Sequence, residues 1–163
     1  MKRTLFIASG VPGSGKTTWI KNHMNKELDA HVSRDEVRFS FLNDDDAYFS
    51  KEDLVFEAFI NQIQKNIDND NIRNIYVDAT HLNKVSRGKV IGRLVNKGDM
   101  EIIILYFNVP LEVCLERNAK RTGRALVPEE SIKNMYKAFK RPNDKWDFRY
   151  LEINECGEVI NRE

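Results

Sequence analysis

The sequence lacks the features that mark membrane, secreted and fibrous proteins. Its longest unbroken apolar run is six residues, Ile102 to Phe107, against the roughly 20 that a bilayer-crossing helix needs. The start Met1-Lys2-Arg3-Thr4 is basic, but the apolar stretch after it stops at Gly10. That is too short for a secretory signal, so the expected compartment is the cytoplasm. The two cysteines, Cys114 and Cys156, form no metal-ligand spacing and are expected to be free and structural. There are four prolines and eight glycines, with no repeat, no low-complexity tract and no linker-like stretch. One domain spanning residues 1–163 is the expectation. Charge of one sign is missing too: 26 basic against 25 acidic residues leave a net +1, which excludes a uniformly basic, nucleic-acid-coating protein. With 41% apolar and 31% charged residues, the composition suits a globular chain able to bury its own core.

The charge is nevertheless uneven. Residues 40–80 hold nine acids and three bases, a net of −6, whereas residues 84–141 hold thirteen bases and six acids, a net of +7. Either these are two solvated faces, or the second half presents a phosphate-binding face.

The hydrophobic pattern alternates between strand and helix. Strands are expected at residues 4–8, 30–32, 74–77, 101–107 and 148–153, with a hairpin turn at Gly157. Helices are expected at 17–25, 51–67, 84–96, 111–120 and 128–139. Ser50 and Asp53 suggest a capping box for the second of these, and Pro110 and Pro128 open the last two. This order predicts an α/β fold of the P-loop NTPase type: a mostly parallel sheet covered by helices on both faces. Ligands in such sheets bind beyond the carboxyl ends of the strands. The chemically loaded segments 10–18, 34–35 and Asp78 all fall there.

Gly10-Val11-Pro12-Gly13-Ser14-Gly15-Lys16-Thr17-Thr18 satisfies the spacing G-x-x-x-x-G-K-[ST] between a strand and a helix. Gly13 and Gly15 let the backbone curl so that successive N–H groups face an anion, and the helix adds its positive end. Lys16 then reaches the β and γ phosphates, Ser14 and Thr18 flank them, and the Thr17 hydroxyl is the expected Mg²⁺ ligand. A nucleoside triphosphate, ATP with Mg²⁺, is the implied bound species. Asn96-Lys97-Gly98-Asp99 imitates a guanine-specificity motif. It ends a helix rather than following a strand, so it reads as a turn.

A kinase needs a carboxylate to orient the accepting alcohol and take its proton. Asp35 follows the second strand and is the candidate, with Arg38 three residues on; the alternative for Asp35 is a helix N-cap. Asp78 ends a strand and leads into Ala79-Thr80, on the substrate side of the predicted cleft. Its alternative is an Asx-turn or a cap for the next helix. Arg117, Lys120, Arg121 and Arg124 crowd one helix end and the loop after it. That basic segment, about 117–128, is read as a lid able to close on a triphosphate, or else as a solvated helix end.

Taken in order, these motifs resemble the P-loop 5′-polynucleotide kinase family. The resemblance runs from about Thr4 to Phe139. It includes residues 10–19 with Trp19, Arg34-Asp35 with Arg38, Asp78-Ala79-Thr80 with Leu82-Asn83, Phe107-Asn108-Val109-Pro110, and Arg117-Asn118-Ala119-Lys120-Arg121. It implies transfer of the γ-phosphate of ATP to the 5′-OH end of DNA or RNA, with Asp35 as general base. Lys16 and Thr17 would hold ATP and Mg²⁺. Arg38 would contact an acceptor phosphate, Asp78 would support the site, Arg121 would clamp the donor phosphates and Arg117 would lie near the nucleotide. With the chain ending at Glu163, no phosphatase domain is expected, which leaves a phosphatase or a ligase to a separate protein. Asp44-Asp45-Asp46 is unlike a nucleic-acid-binding wall and suggests either the far side of the site or a smaller acceptor. A small-molecule kinase acting on a nucleoside, a sugar or an antibiotic-like alcohol is therefore the alternative. A nucleotide-binding module without turnover is the third reading, and Asp35 argues against it.

Overall fold

The computed structural model describes residues 2–143, 145 and 147–160. Trp146, in the C-terminal tail, lies outside them. Among the described residues five strands form one sheet: β1 (Thr4–Ser9), β2 (Ala30–Ser33), β3 (Asn74–Asp78), β4 (Glu101–Phe107) and β5 (Tyr150–Ile153). Their order is β2-β3-β1-β4-β5 and every pairing is parallel. Parallel strands need crossover connections, and here helices supply them: α1 (Lys16–His23), α2 (Arg34–Phe41), α3 (Glu52–Ile67), α4 (Lys84–Ile91), α5 (Leu111–Ala119) and α6 (Glu129–Ala138).

The strand pleat divides the core in two. Leu5 and Ile7 of β1, with Ile75 and Val77 of β3, pack on one face against Val55, Phe59 and Ile63 of α3 and Val90 of α4. Ala8, Tyr76, Leu105 and Phe107 face the other way, onto Ile20 of α1, Cys114 of α5 and Ile132 of α6. The two-sided α/β arrangement expected from the sequence is present, and the sheet is wholly parallel.

Three local expectations are corrected. Ser50 and Asp53 do not form a capping box. Ser50 Oγ donates to the Ala47 carbonyl at 2.7 Å, closing the turn before the helix, and the N-cap position is Lys51 with no side-chain cap. The helix expected over 84–96 stops at Ile91, where Gly92 follows and Lys97 Nζ donates to the Leu94 carbonyl at 2.5 Å. Asn96 and Gly98 then take positive φ and turn the chain into β4. The excess of bases over 84–141 is not one face. Arg87 is buried against Asp147, Arg93 pairs with Glu57, and Lys133 with Glu129. The N-cap reading of Asp35 also falls, because Ser33 caps α2 by accepting from the Glu36 N–H. Asn83 likewise caps α4, which leaves Asp78 free for other work. At the C-terminal end Gly157, at φ 78°, turns the chain so that Val159 bridges Ile153 antiparallel.

One polar side chain ties the predicted lid segment to α5. Asn118 is 4% exposed; its amide donates to the Val127 carbonyl at 2.8 Å and accepts from the Val127 N–H at 3.0 Å. Asn118→Ala leaves both backbone groups buried and unpaired. The expected loss of stability is about 1–3 kcal/mol for each group, measured by denaturant unfolding against the parent protein.

Candidate active site

The glycine turn is shaped by close approach as well as by conformation. Gly13 and Gly15 adopt φ of 87° and 91°. A Cβ on Gly13 would sit 2.4 Å from the Cys114 carbonyl oxygen, so α5 presses directly on the loop. The loop is also tied to its other neighbour, where the Gly10 N–H donates to the Thr80 carbonyl at 2.8 Å. Ser14 Oγ is buried without a partner among the described residues. That orphaned hydroxyl and an α1 first turn without any acid suit an anionic ligand. Lys16 opens α1, and burial pulls its ammonium below the usual lysine range. Its Nζ donates to the Val11 carbonyl at 3.2 Å, across the mouth of the turn. These residues fit a bound triphosphate.

Beside the loop, Asp78 ends β3 with its side chain 4% exposed. Its Oδ2 accepts from Thr17 Oγ1 at 2.7 Å and from His31 Nε2 at 2.8 Å. Burial works to raise this carboxyl. The His31 hydrogen bond, the Lys16 charge and the Thr17 hydroxyl outweigh it and hold Asp78 below the usual carboxylate range. A hydroxyl and an ionised carboxylate side by side fit Mg²⁺, which keeps several waters and takes few protein ligands. Among the described residues no group of three or more His, Cys, Asp or Glu is placed for a metal, so the phosphates would supply the remaining ligands.

Across the cleft stands the predicted acceptor side. Asp35, on the first turn of α2, has a side chain 59% exposed. Its Oδ1 accepts from Arg38 Nη1 and from the Tyr48 hydroxyl at 3.0 Å. Both bonds fall on one oxygen, and Oδ2 has no donor among the described residues. Arg38 is 6% exposed and held from within. It donates to Glu52 Oε1 at 2.7 Å, and its guanidinium lies 4.7 Å from the Tyr48 ring centre and 5.4 Å from that of Phe49. Arg38 therefore orients Asp35, and it lines the same cleft as the glycine turn. Burial and the Asp35 charge push the Tyr48 phenol up to about 12, so it stays protonated and keeps donating.

Lys16, Thr17, Asp35, Arg38, Asp78, Thr80 and Arg121 line one cleft of about 330 Å³ with Gly13, Gly15 and Thr18. Arg121 has no side-chain hydrogen bond among the described residues. It also lines a second cleft of about 430 Å³ on the far side of the glycine turn, with Ser14, Trp19, His23, Phe107 and Gly157. Arg117 belongs to that second cleft. Its Nη1 donates to the Gly13 carbonyl at 3.4 Å and its Nη2 to the Glu155 carbonyl at 2.5 Å. Cys156 also lines it and is exposed, so the expectation of two structural thiols holds only for buried Cys114. Arg124 reaches over α2, donating to the Phe39 carbonyl at 3.2 Å and to Asp44 Oδ1 at 2.9 Å. Asp46 pairs with Lys51. Neither acid lines the cleft; Asp44 instead meets the basic segment from the opposite bank. Sequence reasoning missed His31, Tyr48 and Glu52. A histidine inside a short strand was the one available signal for the first. Tyr48 comes from a stretch with no regular period, and Glu52 opens the predicted helix as one acid among several.

Residues 5–142 match the family described as AAA domain. The chain is similar to the L-seryl-tRNA(Sec) kinase of Methanococcus maripaludis, 28% identical over 96% of this chain and 63% of that protein. It is 28% identical, over 87% of this chain and 22% of the other, to a protein of Autographa californica nuclear polyhedrosis virus whose name gives it polynucleotide kinase and RNA ligase roles. In structure it is similar to a chain of the Pnkp1/Rnl/Hen1 RNA repair complex, with a TM-score of 0.72 and 24% identity over 91% of this chain and 47% of that one. The chain spans less than two thirds of the length of each of these three.

His81 supplies a pH test of the frame behind the cleft. It is fully buried at φ 38°, with its ring Nδ1–H donating to the Ala8 carbonyl at 2.6 Å. Burial lowers its pKa from 6.5 to about 4. A base with a depressed folded pKa favours the native state above its unfolded value and loses that advantage as pH falls. Stability is expected to drop between pH 6.5 and about 4, by on the order of 3 kcal/mol from this group. Denaturant unfolding of the parent and of His81→Asn across this range checks it; a variant that keeps the same pH slope assigns the loss to other groups.

Proposed function

This chain belongs to the AAA domain family and has the P-loop kinase-like fold, and from that premise we propose that it is an ATP-dependent 5′-hydroxyl polynucleotide kinase. In this reading the γ-phosphate of ATP passes to the 5′-OH end of DNA or RNA, within a single kinase domain whose lid spans about 117–128. The observation that carries it is the Asp35 carboxylate. It shares a cleft with the glycine turn, and Oδ1 is occupied by Arg38 and Tyr48 while Oδ2 is open.

Each residue then has a defined task. Asp35 Oδ2 accepts the proton of the 5′-hydroxyl as its oxygen bonds to the γ-phosphorus and the bond to the β-phosphate oxygen breaks, leaving ADP. Arg38 and Tyr48 hold that carboxylate in place, and Glu52 holds Arg38. The Gly13–Gly15 backbone and Lys16 bind the β and γ phosphates. Thr17 and Asp78 would hold Mg²⁺, which would neutralise phosphate charge. Arg121, between the two clefts, meets the charge that develops on the transferring group. Arg117 braces the turn, and Thr80 lines the acceptor side. The second cleft, with Trp19 and Phe107, takes the nucleoside of the donor.

The relatives named for polynucleotide and seryl-tRNA kinases support a nucleic-acid acceptor. The volume of the acceptor cleft, about 330 Å³, with Tyr48, Phe49 and Met135 on its walls, supports the second reading, a small-molecule kinase. Labelled ATP offered with a panel from nucleosides and sugars to 5′-OH ribo- and deoxyoligonucleotides separates the two. Strands are expected to be phosphorylated far better than any nucleoside, and the reverse ranking overturns the proposal. Asp35→Asn is expected to cost about 10²–10⁴ in kcat with ATP affinity kept; near-full activity would remove Asp35 as the base.

Arg121→Ala is expected to lower kcat by up to about 10³–10⁵ if it meets transition-state charge. A loss confined to the ATP KM would make it a ground-state binder instead. Lys16→Ala and Thr17→Ala are expected to abolish transfer in the same assay.

A further inference from the structure

The segment after α5 crosses the acceptor cleft. It leaves one wall at Arg121, which lines the cleft, and returns at Val127, which lines it too and is held by Asn118. Between these points a single 3₁₀ turn, Gly123–Ala125, carries Arg124 to the other wall. There its guanidinium meets α2, the helix that bears Asp35 and Arg38.

Arg124 uses its two arms differently. Nη1 donates to the Phe39 carbonyl at 3.2 Å. That carbonyl is among the last four of α2, which a helix leaves without an internal partner, so the bond caps the helix end. Nη2 donates to Asp44 Oδ1 at 2.9 Å. The Asp44 side chain is 99% exposed and that of Arg124 39%. One arm thus rests on the frame and the other on a solvent-facing carboxylate. An exposed ion pair adds little to stability, because water and salt compete for both charges.

The pair lies at the edge of the cleft. Phe39 directly follows Arg38, and its ring meets that of Tyr48 edge-on at 6.0 Å. Arg38 and Tyr48 line the cleft and hold Asp35 Oδ1. Arg124 therefore stands one residue and one ring away from the groups that orient Asp35. Arg38, on the same bank, is buried under Glu52, Tyr48 and Phe49. A phosphate reaching this bank can replace the Asp44 carboxylate on Nη2 while Nη1 keeps its bond to Phe39. A phosphodiester presents two oxygens sharing one negative charge, as a carboxylate does, and the planar guanidinium fork suits both.

We infer that Arg124 binds a backbone phosphate of the acceptor strand, and that Asp44 holds the place of that phosphate until the strand arrives. The inference rests on the polynucleotide reading of the cleft. The exchange swaps one anion for another on a single arm, so no buried charge is left unpaired. Its two members act with opposite sign: Arg124 favours the strand and Asp44 opposes it. A lone nucleoside has no phosphate to offer Arg124, so the exchange favours strands over nucleosides.

The test uses the full chain with Asp44→Asn, Arg124→Ala, the two together, and Arg124→Lys. Asp45→Asn is the control, since it removes an exposed acid beside the pair and leaves the partner of Arg124 in place. Binding of a fluorescein-labelled, 5′-OH single strand is followed by anisotropy at several salt concentrations, and transfer to that strand with labelled ATP. Arg124→Ala is expected to weaken strand binding roughly ten-fold. It is also expected to flatten the slope of log K against log salt by about 0.7, one contact on a single strand. Arg124→Lys is expected to bind more weakly than the parent, because an ammonium lacks the fork that serves Phe39 and a phosphate together. Asp44→Asn is expected to tighten binding roughly two- to five-fold, more than Asp45→Asn does, and the gain is expected to vanish when Arg124 is alanine. Denaturant unfolding reports that each variant is folded, and Arg124→Lys completes the cycle if Arg124→Ala does not fold. An Asp44→Asn gain that equals the Asp45→Asn gain, or survives in full without Arg124, overturns the inference, because the acid would then act through the general field. So does unchanged strand affinity in folded Arg124→Ala. Transfer to the strand without this coupling sinks the exchange alone. Coupled binding without transfer upholds the exchange and sinks the kinase reading instead.

Discussion

The carboxylate of Asp78 is the contact on which the rest of the site depends. It sits at the end of the strand between β1 and β2, and it accepts at once from Thr17 beyond β1 and from His31 within β2. A buried carboxylate is costly unless hydrogen-bonded in its charged form. Here its partners come from the two flanking strands' own segments. Satisfying Asp78 therefore aligns the donor loop with the strand that delivers Asp35. Both halves of the proposed reaction are registered to each other through one buried charge.

The acceptor side is built on a different principle. Asp35 is exposed where Asp78 is buried, and its order comes from a layer of side chains behind it. Glu52 of α3 holds Arg38, the rings of Tyr48 and Phe49 cover the guanidinium, and Arg38 with Tyr48 fix a single carboxylate oxygen. Two donors on one oxygen leave the other without a donor among the described residues. That asymmetry suits a group that must take a proton from a ligand rather than hold a fixed partner.

Charge is distributed along the same logic. Arg87 is drawn into an internal pair with Asp147, and Arg93 meets Glu57 at the surface. Arg121, half-buried, and Arg124, exposed, lie on the segment that follows α5. The acidic stretch near Asp44 is spent against this segment, through Arg124, and not against a passing ligand.

The glycine turn was legible in the sequence because backbone N–H groups can converge on an anion only where glycine permits φ near 90°, and such residues are confined to a few spacings. The alternation of strand and helix was legible for a similar reason, since burial on two faces imposes a period that needs no knowledge of neighbours. Asp35 and Asp78 were legible as strand-end acids, each with an innocent local role still open. Only the folded chain closed those alternatives, by assigning capping to Ser33 and Asn83. His31, Tyr48 and Glu52, and the enclosure of Arg38 by Glu52, Tyr48 and Phe49, were decided by tertiary structure alone. They arise from contacts between residues ten to nearly fifty positions apart. No local spacing encodes such contacts, because each exists only once β2, β3 and α3 have packed into one frame.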